Sequence, residues 1–389
     1  MTPTERRASL WLASIYGLRM FGLFLILPVF AIYGRALTGG QEPYLIGLAI
    51  SIYGLTQAVF QIPLGAASDR FGRKPVIVGG LLLFAAGSAI AALASSIVGV
   101  IIGRALQGAG AISAAVSAFV ADSTRESVRT RAMAIVGATI GLTFAAALVV
   151  APPLAAAVGL SGLFWITALL ALLGCAVVIW AVPPAPLHGE EPAAIRHGDV
   201  LFHPQLLRLN VGVFVLHLCQ TALFVVVPTL LIERGGLAAP EHWLVYLPVI
   251  LVSFAIMVPP MIAAERRGRL RELFLAAIAL LTLALLAAPQ LSALAFKGLI
   301  AFLLAFFVAF NLLEAMQPSL VSRIAPAHLK GFALGVYNTN MSLGLFAGGI
   351  VGGTLAKRFG SEAVFYGCAA LAALWFVAAW SMKPPPAKH

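Results

Sequence analysis

The sequence predicts an all-α polytopic membrane protein, with twelve transmembrane helices in two pseudo-symmetric six-helix halves. Three observations carry the prediction: an apolar composition interrupted at short intervals, basic residues gathered on one side, and a degenerate internal repeat. Of the 389 residues, 61% are hydrophobic and 10% are charged, and the mean hydropathy is +1.01. Soluble domains carry about 25% charged residues. Twelve stretches approach the ~20 apolar residues that a bilayer crossing needs. They run over 9–33, 44–67, 75–94, 97–121, 131–157, 161–182, 206–231, 243–264, 272–288, 294–322, 331–356 and 361–382. Segments of this length satisfy their own backbone across hydrocarbon only as helices.

The net charge of +11 is distributed as a topology signal, which argues against a nucleic-acid footprint. Eighteen of the 25 lysines and arginines fall in the N-terminus, the C-terminus and the even-numbered loops, among them Arg6, Arg7, Arg70, Arg73, Lys74, Arg125, Arg266, Arg267 and Arg323. Five fall in odd-numbered loops: Arg35, Arg234, Lys297, Lys357 and Arg358. That bias is the positive-inside pattern, and it puts both termini in the cytoplasm of a protein of the cell inner membrane. MTPTERRASLW runs straight into an apolar stretch too long for a signal-peptide core, so it reads as the start of the first helix.

Several chemistries find no support. Cys175, Cys219 and Cys368 sit in apolar spans without metal-ligand spacing and read as small buried hydrophobes. No G-x-x-x-x-G-K-[S/T] motif suggests direct ATP drive, and neither H-E-x-x-H nor G-x-S-x-G suggests an intramembrane enzyme. No cofactor is expected, and the expected partners are the bilayer, protons and a small-molecule substrate, with the chain a monomer.

The longest polar break, Pro183 to Asp199, reads as a cytoplasmic linker. It divides the chain into 1–182, a linker over 183–205, and 206–389. A repeat supports the division. Ala67-Ser68-Asp69-Arg70-Phe71-Gly72-Arg73 closes the second span, and Ala263-Ala264-Glu265-Arg266-Arg267-Gly268-Arg269 closes the eighth, 196 residues later. A weaker echo opens the last span of each half: Gly159-Leu160-Ser161 before Phe164-Trp165, and Gly360-Ser361 before Phe365-Tyr366. Duplicated units of this kind let secondary transporters rock about a midplane site.

Gly65, Asp69, Arg70, Gly72, Arg73 and Lys74 match, position by position, the loop motif G-x-x-x-D-R-x-G-R-[K/R] of the major facilitator superfamily, which the chain therefore resembles. Arg104-Ala105-Leu106-Gln107-Gly108 in the fourth span is similar to the family's R-x-x-Q-G motif. The fifth span carries Ala151-Pro152-Pro153-Leu154-Ala155-Ala156, with alanine where the family's proton-driven drug exporters have glycine. Phe310-Asn311-Leu312-Leu313-Glu314-Ala315, Pro318-Ser319-Leu320, Lys330-Gly331 and Gly335-Val336-Tyr337 most resemble the YajR-type branch of those exporters. Some members of that branch carry a soluble domain after the last helix; the ending MKPPPAKH leads us to expect none here. The resemblance implies a proton-coupled exporter of small lipophilic or cationic compounds, working by alternating access. The altered fifth-span motif leaves room for an importer or facilitator of a polar metabolite.

Ionisable groups at membrane depth are costly and mark pathways. Four stand out, one each on the first, fourth, seventh and tenth spans: Arg19, Arg104, His217 and Glu314. The resemblance implies that these four helices line a central cavity. Glu314 lies about eight residues from the cytoplasmic end of its span, or ~12 Å at helical rise. Desolvation there disfavours the charged carboxylate and suits it to take up and release a proton, unless it serves as a structural hydrogen-bond partner of Asn311. His217 could share or relay that proton, or bond between helices as a neutral ring. Arg104 and Arg19 keep their charge and would bind an anionic group or stabilise a nearby carboxylate. Gln57, Gln61, Asn338 and Asn340 read first as interhelical hydrogen bonders. The aromatic residues, spread over many spans, nominate no pocket.

At the opening loop, Gly65, Arg70, Gly72 and Lys74 are motif and topology residues, whereas Asp69 needs a further reason because acids contribute little to the positive-inside rule. Arg73 is expected to pair with Asp122. Asp69 is expected to cap the start of the eleventh helix near Gly331, where the helix dipole favours an anion. Asp69→Asn should therefore impair transport in cells while fusion reporters at both termini still score cytoplasmic; an altered reporter pattern would reduce Asp69 to a topology residue.

Overall fold

The computed structural model describes residues 1–183, 198–293, 295–326 and 329–382. The described residues form helices: α1 Pro3–Tyr33, α2 Pro43–Phe71, α3 Arg73–Leu93, α4 Ile97–Ala109, α5 Ser113–Asp122, α6 Glu126–Trp180, α7 Gly198–Leu201 and α8 Pro204–Glu233. They continue with α9 Trp243–Arg266, α10 Leu270–Ala293, α11 Ala295–Ile324, α12 Lys330–Phe359 and α13 Ser361–Trp380. No strand occurs among these residues beyond one isolated bridge between Thr38 and Ser96.

Twelve crossings account for these helices, with two departures from the expected boundaries. The fourth span is broken: α4 ends at Ala109 and α5 starts at Ser113. The fifth and sixth spans are two helices, numbered together as α6, that meet at Gly159 with no loop between them. At its start, α1 begins at Pro3, about two turns earlier than hydropathy suggests. Thr2 caps it, accepting from the Glu5 amide while Glu5 bonds back to the Thr2 amide. That reciprocal capping box satisfies two donors that a bare helix end leaves open. Of the expected linker, 184–197 lie outside the described residues, and its far end is the one-turn helix α7.

Contacts divide the chain into two units, Met1–Gln41 with Ile52–Ala193, and Glu42–Ser51 with Ala194–His389. In the first unit, α1 packs on α6 and α3 on α4 and α6, around a core that includes Leu12, Ile15, Phe84, Ile112, Val116 and Phe119. In the second, α8 packs on α12, and α10 on α11 and α13. The Phe302 and Phe365 rings meet edge-on at 5.3 Å, and those of Phe274 and Trp375 at 5.9 Å. Helix α8 is enclosed nearly all round from Leu206 to Leu231, so its polar residues must find partners inside protein. The segment Glu42–Ser51 joins this unit through α12, with Glu42 paired to Lys357.

The repeat is visible in the backbone. Among the described residues six glycines have positive φ, and they fall in corresponding turns of the two units: Gly39 and Gly236, Gly72 and Gly268, Gly159 and Gly360. The last pair share one conformation, φ 68° and ψ 179° at Gly159, φ 83° and ψ 175° at Gly360. That region is accessible in practice only to glycine, so each reverses the chain between the last two crossings of its unit in a single residue. Nothing lies within 4 Å of where a Cβ would stand at either position. Gly159→Ala and Gly360→Ala should each lower stability by about 1–3 kcal/mol through backbone strain alone. Gly137→Ala, in an ordinary helical conformation and equally open space, should be neutral or stabilising. Unfolding titrations in detergent micelles measure the difference, and equal effects at all three positions would remove the strain argument.

Candidate functional site

The four ionisable residues at membrane depth come together as two pairs, one in each unit. In the second, His217 on α8 and Glu314 on α11 face each other with Nε2 and Oε2 3.5 Å apart. That separation is within ion-pair reach but long for a hydrogen bond. His217 Nδ1 lies 3.0 Å from the Val213 carbonyl one turn earlier. A carbonyl can only accept, so Nδ1 carries a hydrogen and donates it, and Nε2 is the nitrogen left to exchange a proton with Glu314. The histidine is enclosed, with 7% of its side chain exposed, while Glu314 is 32% exposed, although its Oε2 is itself buried. The Phe310 ring meets the imidazole edge-on at 6.0 Å and fixes its plane.

Aromatic residues are more organised here than the sequence suggests. Phe302, Phe306 and Phe310 recur every four residues along one face of α11, with centroids 6.1 and 5.9 Å apart, and the series ends at Glu314. Beside it, Phe224, Val227, Tyr246, Phe306 and Phe307 line a small apolar hollow between α8, α9 and α11. Asn311 does not serve Glu314; its amide donates to Ser253 Oγ on α9 at 2.9 Å. Gln317, passed over in the sequence, lies one turn beyond Glu314, fully buried, and its amide has no partner among the described residues. Asn340 donates back to the Val336 carbonyl of its own helix, and the Asn338 carbonyl accepts from Ser342.

In the first unit, Arg19 on α1 is completely enclosed. Its Nη2 donates to the Tyr53 hydroxyl and, at 3.2 Å, to Gln57 Oε1, both on α2, and Nη1 approaches Ser113 Oγ on α5 at 3.5 Å. The Tyr16 hydroxyl donates to the same Ser113 oxygen at 3.0 Å. Arg104 on α4 donates to Gln107 Oε1 at 2.9 Å, and the Gln107 amide donates to Ser88 Oγ on α3 at 2.7 Å. The last contact depends on backbone approach. A Cβ on Gly87 would stand 2.5 Å from the Gly103 carbonyl oxygen, so only glycine lets α3 and α4 come this close. Both guanidiniums lie against the Tyr53 ring, 5.5 Å (Arg19) and 5.2 Å (Arg104) from its centroid. Gln61 is buried, and its Oε1 has no partner among the described residues.

At the polar end of this unit, Arg73 Nε donates to Asp122 Oδ2 at 2.8 Å, and Nη1 to Ser68 Oγ at 2.7 Å and to Asp69. Asp69 is thus held by Arg73 as well, at i,i+4 spacing. Gly72, at φ 91°, caps α3, and the Gly65 carbonyl accepts from Ser68. Arg70 stacks over the Phe71 ring, and Lys74 donates to the Val182 carbonyl at 2.6 Å. A second ion pair here was missed: Arg125 Nε to Glu5 Oε1 at 2.8 Å, which holds the Arg125 guanidinium above its ordinary value. The T-x-x-E capping pattern at Thr2 was the available signal. In the second unit Glu265, the counterpart of Asp69 in the repeat, pairs with Arg323 at 2.9 Å. No group of three His, Cys, Asp or Glu stands close enough to hold a metal among the described residues.

Known proteins were compared with this chain. The sequence profile of the Major Facilitator Superfamily matches residues 12–349 and 242–389. The inner membrane transport protein YajR of Escherichia coli strain K12 is 48% identical over 99% of this chain and 85% of its own length. The multidrug resistance protein MdtH of Aeromonas hydrophila is 26% identical over 91% of this chain and 89% of its own. Among solved structures, a bacterial homologue of the human lysosomal transporter Spinster, inward-facing and occupied, aligns with a TM-score of 0.74 at 14% identity, covering 98% of this chain and 96% of that one.

The Arg73 guanidinium, with three partners and 18% exposure, should matter more to stability than either carboxylate it binds. Arg73→Gln is expected to lower unfolding stability by about 1–3 kcal/mol, because charged partners lose their donor. Asp69→Asn, at a side chain 65% exposed, should cost about 0–1 kcal/mol. Denaturant titration of the purified variants checks the order, and the reverse order would show that Arg73 is not the centre of the cluster.

Proposed function

The chain belongs to the major facilitator superfamily, and from that premise we propose that it is a proton-coupled exporter of small lipophilic compounds at the cell inner membrane, acting as a monomer with both termini cytoplasmic. The observation that carries the reading is the His217–Glu314 pair, a titratable carboxyl and a titratable imidazole held 3.5 Å apart inside a membrane-spanning unit. With Nδ1 committed to the Val213 carbonyl, the pair can exist in two states at almost unchanged geometry: a neutral acid beside a neutral ring, or one holding an extra proton as imidazolium. Glu314 is the more exposed partner, and enclosure of His217 keeps the second site from equilibrating freely.

In this mechanism substrate and proton take turns. Proton uptake at the pair favours one access state of the two six-helix halves, and proton release favours the other. A conformational equilibrium moves only as far as the difference in affinity between its states, so loss of the titratable group must uncouple the cycle. YajR and MdtH, named as transport and multidrug resistance proteins, support export of lipophilic compounds as the substrate class to test first.

Glu314→Gln in proteoliposomes is expected to reduce flux driven by an imposed pH gradient at least tenfold while exchange of substrate down its own gradient persists. Undiminished gradient-driven flux in this variant would remove the pair from the coupling mechanism. Accumulation only in the direction of proton entry would instead favour import of a polar metabolite.

A further inference from the structure

Three guanidinium groups stand unmatched at the basic end of α9. Arg266, Arg267 and Arg269 are exposed, and their side chains make no ion pair or hydrogen bond among the described residues. Glu265, the acid beside them, is held by Arg323. The first unit treats the same motif differently. At the positions of Arg266, Arg267 and Arg269 in the repeat it has Arg70, Phe71 and Arg73. There Arg70 lies over the Phe71 ring, and Arg73 binds both Asp69 and Asp122. Topology alone would account for three loose arginines, but not for the surface that two of them border.

That surface is an open hollow of about 390 Å³, lined by Val258, Pro259, Ile262, Ala263, Arg266 and Arg267. These residues form two adjoining rows on one face of α9, each with a step of four. Ala263 stands between Pro259 and Arg267 in its row, and its single methyl group leaves the middle low. Val258 and Ile262 are 43% and 47% exposed, so no other part of the chain covers the apolar end. From Val258 to Arg266 the hollow extends ~12 Å at helical rise. One leaflet of hydrocarbon is ~15 Å deep. The hollow therefore matches an amphipathic molecule that has one hydrocarbon arm and an anion where the eighth span ends.

We propose that this hollow binds one anionic phospholipid, with its phosphate between Arg266 and Arg267 and an acyl chain along Val258, Pro259, Ile262 and Ala263. A phosphodiester offers the oxygen geometry that guanidinium donors fit best. A basic patch where a span leaves the membrane selects lipids of net negative charge over zwitterionic ones. A second copy of the chain on this face would bring like charges together across a two-fold axis, which disfavours that occupant. The site belongs to the second unit and rests neither on export nor on proton coupling.

The test is native mass spectrometry of the purified full chain, released from detergent after incubation at pH 7 with dioleoyl phosphatidylglycerol or dioleoyl phosphatidylcholine. The two lipids share their acyl chains and differ in net charge. One phosphatidylglycerol per chain is expected to bind about tenfold more tightly than phosphatidylcholine. The double variant Arg266→Gln with Arg267→Gln, at two exposed positions that folding does not depend on, should abolish that preference. Ala263→Trp fills the hollow while keeping both charges, and should weaken phosphatidylglycerol binding severalfold. Arg6→Gln with Arg7→Gln removes an exposed basic pair at the start of α1 and should change nothing. Equal affinity for the two lipids, undiminished preference in the Arg266 and Arg267 double variant, or an equal loss in the Arg6 and Arg7 variant would each overturn the proposal. So would displacement of the lipid by excess inorganic phosphate, which would mark a site for the free anion, or a dimer lost in the Arg266 and Arg267 variant, which would assign the face to a second copy.

Discussion

A guanidinium that cannot give up its charge, enclosed completely at membrane depth, is the constraint on which the first unit depends. Arg19 draws on α2 through Tyr53 and Gln57 and on α5 through Ser113, and the Phe84 ring of α3 lies 5.4 Å from it. The partners come from helices other than the one that carries the charge, so it can be satisfied only when the helices are already packed. A hydrogen bond to a charged group contributes about 1.5–3 kcal/mol, which gives the cluster a stake in the fold as well as in the site. The break between α4 and α5 belongs to the same arrangement. It lets Arg104 and Gln107 on one side, and Ser113 on the other, approach the centre from a span that a straight helix would aim differently.

The two units share a plan and differ in chemistry. Their turns repeat down to the positive-φ glycines, and the loop motif keeps its acid, Asp69 in one and Glu265 in the other. What changes is the source of the cation. Arg73 reaches Asp69 from the start of α3, whereas Glu265 is met by Arg323 from the end of α11. A duplicated ion pair has thus been kept by position and rebuilt from a different residue, as expected where the geometry of helix ends matters more than the identity of the partner.

Much of this was legible in the sequence for physical reasons. Spans, breaks and charge bias follow from the cost of polar groups in hydrocarbon, which acts residue by residue and leaves a local record. The depth of Arg19, Arg104, His217 and Glu314 was legible on the same ground. Their partners were not, because a hydrogen bond between helices is a relation between distant positions. Nothing near Arg19 announces Tyr53 as its acceptor, and although Gln107 stands in the same motif as Arg104, nothing there announces Ser88 of α3 beyond it. The aromatic series on α11 shows another limit: Phe302, Phe306 and Phe310 are unremarkable in a chain with many phenylalanines until helical spacing and the neighbouring imidazole are both known. Gly159 was read as an echo of Gly360, but its turn between two helices that meet without a loop appears only in the backbone.

Permanent cations and the carboxyl–imidazole pair at membrane depth lie in different units. An opposite charge within about 4–6 Å holds a carboxylate ionised. Had Glu314 been paired within its unit by an arginine, it would bind its partner firmly and release or accept a proton reluctantly. Its partner is instead a histidine, and the spans of the second unit carry no lysine or arginine near their centres. The first unit is the reverse, with two permanent cations and no acid at depth. Placing the two permanent cations on one duplicated unit and the carboxyl with its imidazole on the other gives each its own surroundings: neutral hydrogen-bond partners around Arg19, and a histidine ring beside Glu314.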